Sequence, residues 1–220
     1  MTRRIVVVSG GLSEPSTTRL LADRIAEAAR VAVNARGGHV EVEVIELRSL
    51  ATGLATTFTA GVPTAAVARA REQLATADGL IAVSPVFAAG YSGLFKMFFD
   101  ALDPDTLTGV PTVIAATAGS ARHSLVLDHA MRPLLSYLRA LVMPTGVFAA
   151  TDDFGAGEAA TALRGRIDRA ADELAEQITR STGSPHGVSE VSSPGRSRAS
   201  GNAVRTDGPS FRELLGAHLG

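Results

Sequence analysis

Ile5-Val6-Val7-Val8-Ser9-Gly10-Gly11-Leu12-Ser13-Glu14-Pro15-Ser16-Thr17-Thr18-Arg19-Leu20-Leu21 is the stretch that decides the fold. It opens on a β-branched run closing at Ser9 and paired glycines, the pattern of a parallel strand buried on both faces. From Ser16 to Arg36 the apolar residues Leu20, Leu21, Ile25, Ala28, Ala29 and Ala32 recur at helical spacing, and Gly37-Gly38 ends the run. A buried strand, a glycine-containing turn and an amphipathic helix form one half of a β-α-β unit.

The same unit repeats outward along the chain. Val40–Leu47 alternates Val40, Val42 and Val44 with Glu41 and Glu43, as a strand wetter on one face does. A helix is predicted over Ala65–Ala77 and a second buried strand over Gly79–Ser84. A helix over Leu94–Leu102, a strand over Thr112–Thr117 and a long helix over His123–Leu141 follow. Pro144–Ala149 reads as the fifth strand and Ala159–Thr182 as the last helix, with Leu163, Ile167, Ala170, Ala171, Leu174 and Ile178 on one stripe. Five strands with helices between them predict a doubly wound parallel sheet with helices on both faces. Hydrolytic α/β folds alternate in the same way, so topology alone does not give function.

That body occupies residues 1–182. Gly183–Ser210 is rich in Gly, Ser, Pro and Arg and has no aromatic residue, so it is expected to be flexible. Residues 211–220 hold Phe211, Leu214, Leu215 and Leu219 at amphipathic spacing, a short helix that either frays as a tail or docks on a neighbouring subunit. The whole chain has 220 residues and a net charge of −1, which gives no basic field for nucleic acid or an anionic membrane. It has no cysteine, which excludes disulfides, thiol chemistry and cysteine-ligated metals. No segment has the length of a membrane span or signal core, and a cytoplasmic protein is expected. A redox role therefore needs a borrowed cofactor.

Ligands of open α/β sheets bind at the carboxyl ends of the strands, and three loops there are unusual. The Ser9–Arg19 loop lacks the lysine of a P-loop and the three-glycine dinucleotide spacing. It offers five hydroxyls and a helix start, whose free N–H groups suit a phosphate monoester; Ser16 as a plain helix cap is the alternative. The second loop, Ser84-Pro85-Val86-Phe87-Ala88-Ala89-Gly90-Tyr91-Ser92-Gly93-Leu94-Phe95-Lys96, is apolar enough to wall a flat heterocycle or to pack under a helix. Ser92 can also be a simple cap. In the third, Thr117-Ala118-Gly119-Ser120-Ala121-Arg122-His123, small residues let backbone N–H groups approach a ligand. His123 reads more readily as structural than as catalytic. No carboxylate pair or Ser/His/Asp set is visible, so no catalytic side chain is assigned.

Together these loops resemble those of the NAD(P)H-dependent FMN reductases, a flavodoxin-like family. They look most like the reductase components of two-component flavin monooxygenases. The carrying residues are Ser9–Thr18, then Ser84-Pro85-Val86-Phe87 with Tyr91-Ser92-Gly93-Leu94-Phe95-Lys96 and Asp100. Thr117–Ser120 with His123, Leu127-Asp128 and Met131-Arg132-Pro133-Leu134 completes the set. The resemblance implies a five-stranded flavodoxin-like sheet, FMN, and NADPH or NADH as hydride donor. It puts Ser9, Leu12, Ser16, Thr17 and Thr18 in the FMN site, with Ser9, Ser16, Thr17 and Thr18 on the phosphate. Pro85, Val86, Phe87 and Ala88 then line the isoalloxazine, and Thr117, Ala118, Gly119 and Ser120 hold its pyrimidine edge.

The resemblance further implies a homodimer or homotetramer and a flavin-dependent monooxygenase as partner. Many relatives have an arginine where this chain has Ser13, so its phosphate loop carries less positive charge and fits a reductase that releases flavin. Two other readings differ in the fate of the electrons: a tightly flavin-bound quinone or azo reductase, and a non-enzymatic flavodoxin-type carrier, which the near-neutral charge disfavours. Tyr91 among small residues, with Phe95, Phe98 and Phe99 behind it, predicts an irregular, π-type helix start over Tyr91–Phe95 in a subunit interface.

Overall fold

The computed structural model describes residues 2–180. The expected flexible segment Gly183–Ser210 and the short helix over 211–220 lie outside the described residues. The elements run β1 (Thr2–Ser9), α1 (Thr17–Ala35), β2 (His39–Glu46), α2 (Leu47–Ala60), α3 (Ala65–Ala75), β3 (Gly79–Phe87), β4 (Gly90–Tyr91), α4 (Gly93–Asp100), β5 (Pro111–Ala118), α5 (Arg132–Tyr137), β6 (Leu141–Val142), β7 (Val147–Ala150) and α6 (Glu158–Arg180).

The sheet order is β2-β1-β3-β5, with β6 and β7 both pairing in parallel along the far side of β5. These are the five positions of a flavodoxin-like sheet, the last filled by two short pieces. The alternating side chains of the central strands explain the double winding. Val6, Val8, Leu80, Ala82, Ile114 and Ala116 face one core, against α2, α3, α4 and the α5 region. Ile5, Val7, Ile81, Val83, Val113 and Ala115 face the other, against α1 and α6. Both faces are buried because every crossover carries a helix. The chain steps from β1 outward to β2, then returns to β3 on the other side of β1. That reversal opens a crevice at the carboxyl ends of β1 and β3.

Four expectations change in the structure. A helix, α2, fills Leu47–Ala60, where none was predicted. Leu47, Leu50 and Leu54 supply its buried stripe, but threonines and Gly53 dilute the pattern. The single helix expected over His123–Leu141 is instead a 3-10 turn (Ala121–His123), a π turn (Leu127–Met131) and the short α5. Pro133 has no N–H to donate, and that missing bond falls where the π register gives way to the α register. Arg139, at φ 63°, then turns the chain toward β6.

The third change is in the fifth strand, expected as one piece over Pro144–Ala149. Pro144 cannot join the ladder, so the strand breaks between Val142 and Val147. The Arg132 guanidinium accommodates the break by donating to the carbonyls of Met143 at 2.9 Å and Pro144 at 3.1 Å. Finally, Tyr91–Phe95 is not a π-type start. Tyr91 pairs with Val86 in β4, and α4 runs as a regular α-helix from Gly93. Phe95, Phe98 and Phe99 are all buried in the core beside the sheet, so one helix face does turn them inward. The π turn lies at Leu127–Met131 instead.

Candidate functional site

All three loops leave the carboxyl edge of the sheet, from β1, β3 and β5. Parallel register places Ser9 beside Val83 and Pro85 beside Thr117, so the loops start from adjacent points. The first is anchored at once: Gly10 N–H donates to the Val83 carbonyl at 2.8 Å. A side chain at Gly10 would crowd that same carbonyl at 3.3 Å and the Ser92 hydroxyl at 3.4 Å, so the loop crosses tight against the end of β3. At Gly11 an added Cβ would stand 2.2 Å from Ser16 Oγ, so that hydroxyl occupies the space a side chain would take.

Ser16 is the N-cap of α1, its hydroxyl accepting from Arg19 N–H at 3.2 Å. The cap reading holds, and it leaves the N–H groups of Thr17 and Thr18 in the first turn without an intrahelical acceptor. Thr17 is exposed. Thr18 is buried, and its hydroxyl lies 2.7 Å from that of Thr117, a bond that ties the first loop to the third. What Thr18 offers outward is its backbone.

In the second loop Val86 pairs with Tyr91 and Phe87 with Gly90, so Ala88 and Ala89 form a two-residue hairpin turn. Their φ values of 48° and 64° give the turn its primed, left-handed geometry, normally filled by Asn-Gly. Residues held there without glycine store strain, which concentrates at functional loops. Ser84, fully buried, fixes the hairpin from beneath by accepting from Ser92 N–H and donating to the Pro85 carbonyl, each at 2.9 Å. Ser92 caps α4 through Phe95 N–H. Phe87 is 49% exposed and Leu12 43% exposed, two large apolar side chains left open at this edge. In the third loop Ala118 ends β5, Gly119 and Ser120 are exposed, and Cβ at Gly119 would meet nothing within 4 Å. His123 is exposed at the end of the 3-10 turn.

Sequence reading placed Ser84 in the second loop but gave it no role, because that role needs the hairpin to exist before it can be seen. It also missed three ion pairs at the first loop: Arg48 with Glu14 at 2.6 Å, and Arg19 with both Asp23 and Glu46. The hydrogen bond and charge of Arg48 hold the Glu14 carboxyl below its usual range. A groove of about 620 Å³ runs between α1 and α6, lined by Arg24, Leu163 and Ile167 among others, and includes none of the residues of the three loops.

The residues fit a flavin mononucleotide. The Gly11 space filled by Ser16 and the open N–H groups of Thr17 and Thr18 suit a phosphate, the exposed Phe87 edge suits a flat ring, and the Thr18–Thr117 bond holds both loops together. Sheet order and loop placement define the class as a flavodoxin-like α/β protein. The sequence profile of the NADPH-dependent FMN reductases matches residues 3–155. The chain belongs to this family and is an oxidoreductase acting on FMN with a nicotinamide dinucleotide.

Two of the proteins it resembles in sequence are FMN reductases that differ in the nicotinamide they use. An FMN reductase (NADPH) from Pseudomonas aeruginosa is 36% identical over 69% of this chain and 78% of its own length. The NADH-dependent FMN reductase SfnE from Pseudomonas putida is 38% identical over 74% of this chain and 87% of its own. Among solved structures, an oxidoreductase from Corynebacterium diphtheriae is 57% identical with a TM-score of 0.79, covering 81% of this chain and 98% of that one. The apo form of the NADH:FMN oxidoreductase EmoB is 31% identical with a TM-score of 0.65, covering 77% and 88%. No single helix among the described residues is long and apolar enough to cross a membrane.

Proposed function

We propose that FMN binds across the three loops with its phosphate over the start of α1, as an exchanging substrate rather than a resident group. The ring then lies along Pro85–Ala88, with Thr117–Ser120 at its pyrimidine edge. Reduced flavin passes to a flavin-dependent monooxygenase, and the enzyme works in the cytoplasm as a homodimer or homotetramer. The observation that carries the reading is the Gly11–Ser16 arrangement at a helix start, where the described residues bring no lysine or unpaired arginine to clamp the anion.

Bound FMN supplies the redox chemistry, accepting hydride from the nicotinamide. The protein's share is position and electrostatics. Gly10 lets the loop cross tight against the end of β3 and Gly11 leaves room for the Ser16 hydroxyl, and the N–H groups of Thr17 and Thr18 would hold the phosphate with the positive end of the α1 dipole. The hairpin fixes Phe87, an apolar edge that keeps water from one side of the ring.

Steady-state oxidation of NADPH and of NADH is measured against free FMN concentration. Saturation in FMN is the expected result; a rate independent of added FMN, from protein that purifies yellow, defeats the exchange reading. In the same protein Gly11→Ala should raise the FMN dissociation constant about tenfold or more, because displacing Ser16 loses a charge-assisted bond of about 1.5–3 kcal/mol. Unchanged affinity in a flavin fluorescence titration would remove the phosphate from this loop.

A further inference from the structure

Two arginines flank the 10–16 loop, and carboxylates hold both of them. Arg19, in the first turn of α1, donates from Nε to Asp23 at 2.7 Å and from its guanidinium to Glu46. Glu46 is the last residue of β2 and sits in register beside Ser9, where the loop leaves the sheet. Arg48, in the first turn of α2, donates to Glu14 within the loop at 2.6 Å. The Arg19–Asp23 pair is an ordinary i,i+4 contact on one helix. Glu46 and Glu14 differ, since each reaches its arginine from another element.

These five side chains sum to −1, two positive against three negative, beside a site read as binding a phosphate close to a dianion. Their side chains are 35% to 76% exposed, and pairs that wet contribute little to stability. Fold stability is therefore a weak reason for three carboxylates here. A ligand phosphate is a stronger acceptor than any of them, because Arg forms bidentate bonds to it. Glu14 and Glu46 compete for the two groups best suited to grip it.

We propose that Glu14 and Glu46 set the phosphate affinity of this site by occupying Arg48 and Arg19, which keeps FMN exchanging. The inference rests on the reading that the phosphate lies over the start of α1. Neither carboxylate needs to touch the flavin. Each acts through its arginine and through the charge it adds to the loop.

The test is a flavin fluorescence titration with FMN and with riboflavin, which lacks the phosphate. Wild type is compared with Glu14→Gln, Glu46→Gln, their combination, and Glu72→Gln. Glu72 lies on α3, which leads into β3 at the opposite edge of the sheet, so it makes the same charge change away from the loops. Wild type should prefer FMN to riboflavin. Each loop variant should tighten FMN about fivefold, and the pair about twentyfold, as one charge removed at close range in a wet site allows. Riboflavin and Glu72→Gln should show no gain, and the gain should shrink at high salt. Adding Arg19→Gln to Glu46→Gln should erase its effect.

If wild type prefers FMN but neither variant tightens it, or if riboflavin or Glu72→Gln gains equally, the proposal falls while the phosphate position stands. If wild type binds FMN no better than riboflavin, the phosphate position falls and takes the proposal with it.

Discussion

The Thr18–Thr117 contact couples two loops 99 residues apart through one buried bond of 2.7 Å. Both side chains are almost wholly buried, at 3% and 4% exposure, so neither hydroxyl has water as a fallback partner. Thr117→Val alone strands the Thr18 hydroxyl and should cost about 1–3 kcal/mol, and Thr18→Val likewise. The double variant removes both polar groups and should cost less than the sum of the singles, under about 1 kcal/mol. Urea denaturation of the four proteins measures the cycle, and additive losses would show that the two hydroxyls do not depend on one another. At this scale the sequence was informative about residue type and silent about pairing. Thr18 and Thr117 both stand out in the sequence as loop hydroxyls, but their spacing along the chain carries no sign that they meet.

At the level of elements, legibility followed burial pattern. β1, β3 and β5 are continuous apolar runs, and α1 and α6 carry long stripes, so all five were readable. α2 was not, because a helix of threonine, alanine and glycine with three buried leucines gives a thin stripe. The region after β5 was misread for a different reason. Its apolar spacing does suit a helix, but Pro133 and Pro144 interrupt hydrogen bonding at points whose consequence depends on the neighbouring strand. Arg132 then becomes the element's own repair, with two carbonyls of the broken strand as acceptors. Arg132→Ala should lower stability by about 1–2 kcal/mol, the lower part of the range for charged hydrogen bonds, since the side chain is 28% exposed. Amide hydrogen exchange should rise first around β6 and β7. Protection unchanged there, with β1 and β3 affected equally, would mean that Arg132 acts on the fold as a whole.

For the whole molecule, everything the functional reading uses lies within residues 2–180: the sheet, both helical layers and all three loops. A chain shortened to residues 1–182 should therefore keep the FMN titration and the thermal midpoint of the full chain. A clear loss of flavin affinity on shortening would place part of the site beyond residue 182. At the same scale β4 and the π turn pack against each other, although neither extends the parallel ladder. Tyr91 of β4 and Leu127 and Met131 of the π turn pack in one core cluster, so the hairpin carrying Phe87 rests on an irregular segment. Bulges of that kind concentrate at functional sites.

Sequence alone determined the double winding and the edge of the sheet at which the three loops gather, because strand and helix periodicity is local and parallel strands require covered faces. It also determined the hydroxyl and glycine content of the loops, and through them the family. Tertiary structure alone decided which groups meet. The hydroxyl of Thr18 turned inward to Thr117, Ser16 filled the space above Gly11, and Ser84 came to hold the hairpin. Arg19 and Arg48 were drawn to carboxylates from other elements, and the last strand broke in two. Each of these is a contact between segments distant along the chain, set by strand register and crossover geometry. A one-dimensional pattern carries residue type and period, but not the register that brings one loop against another.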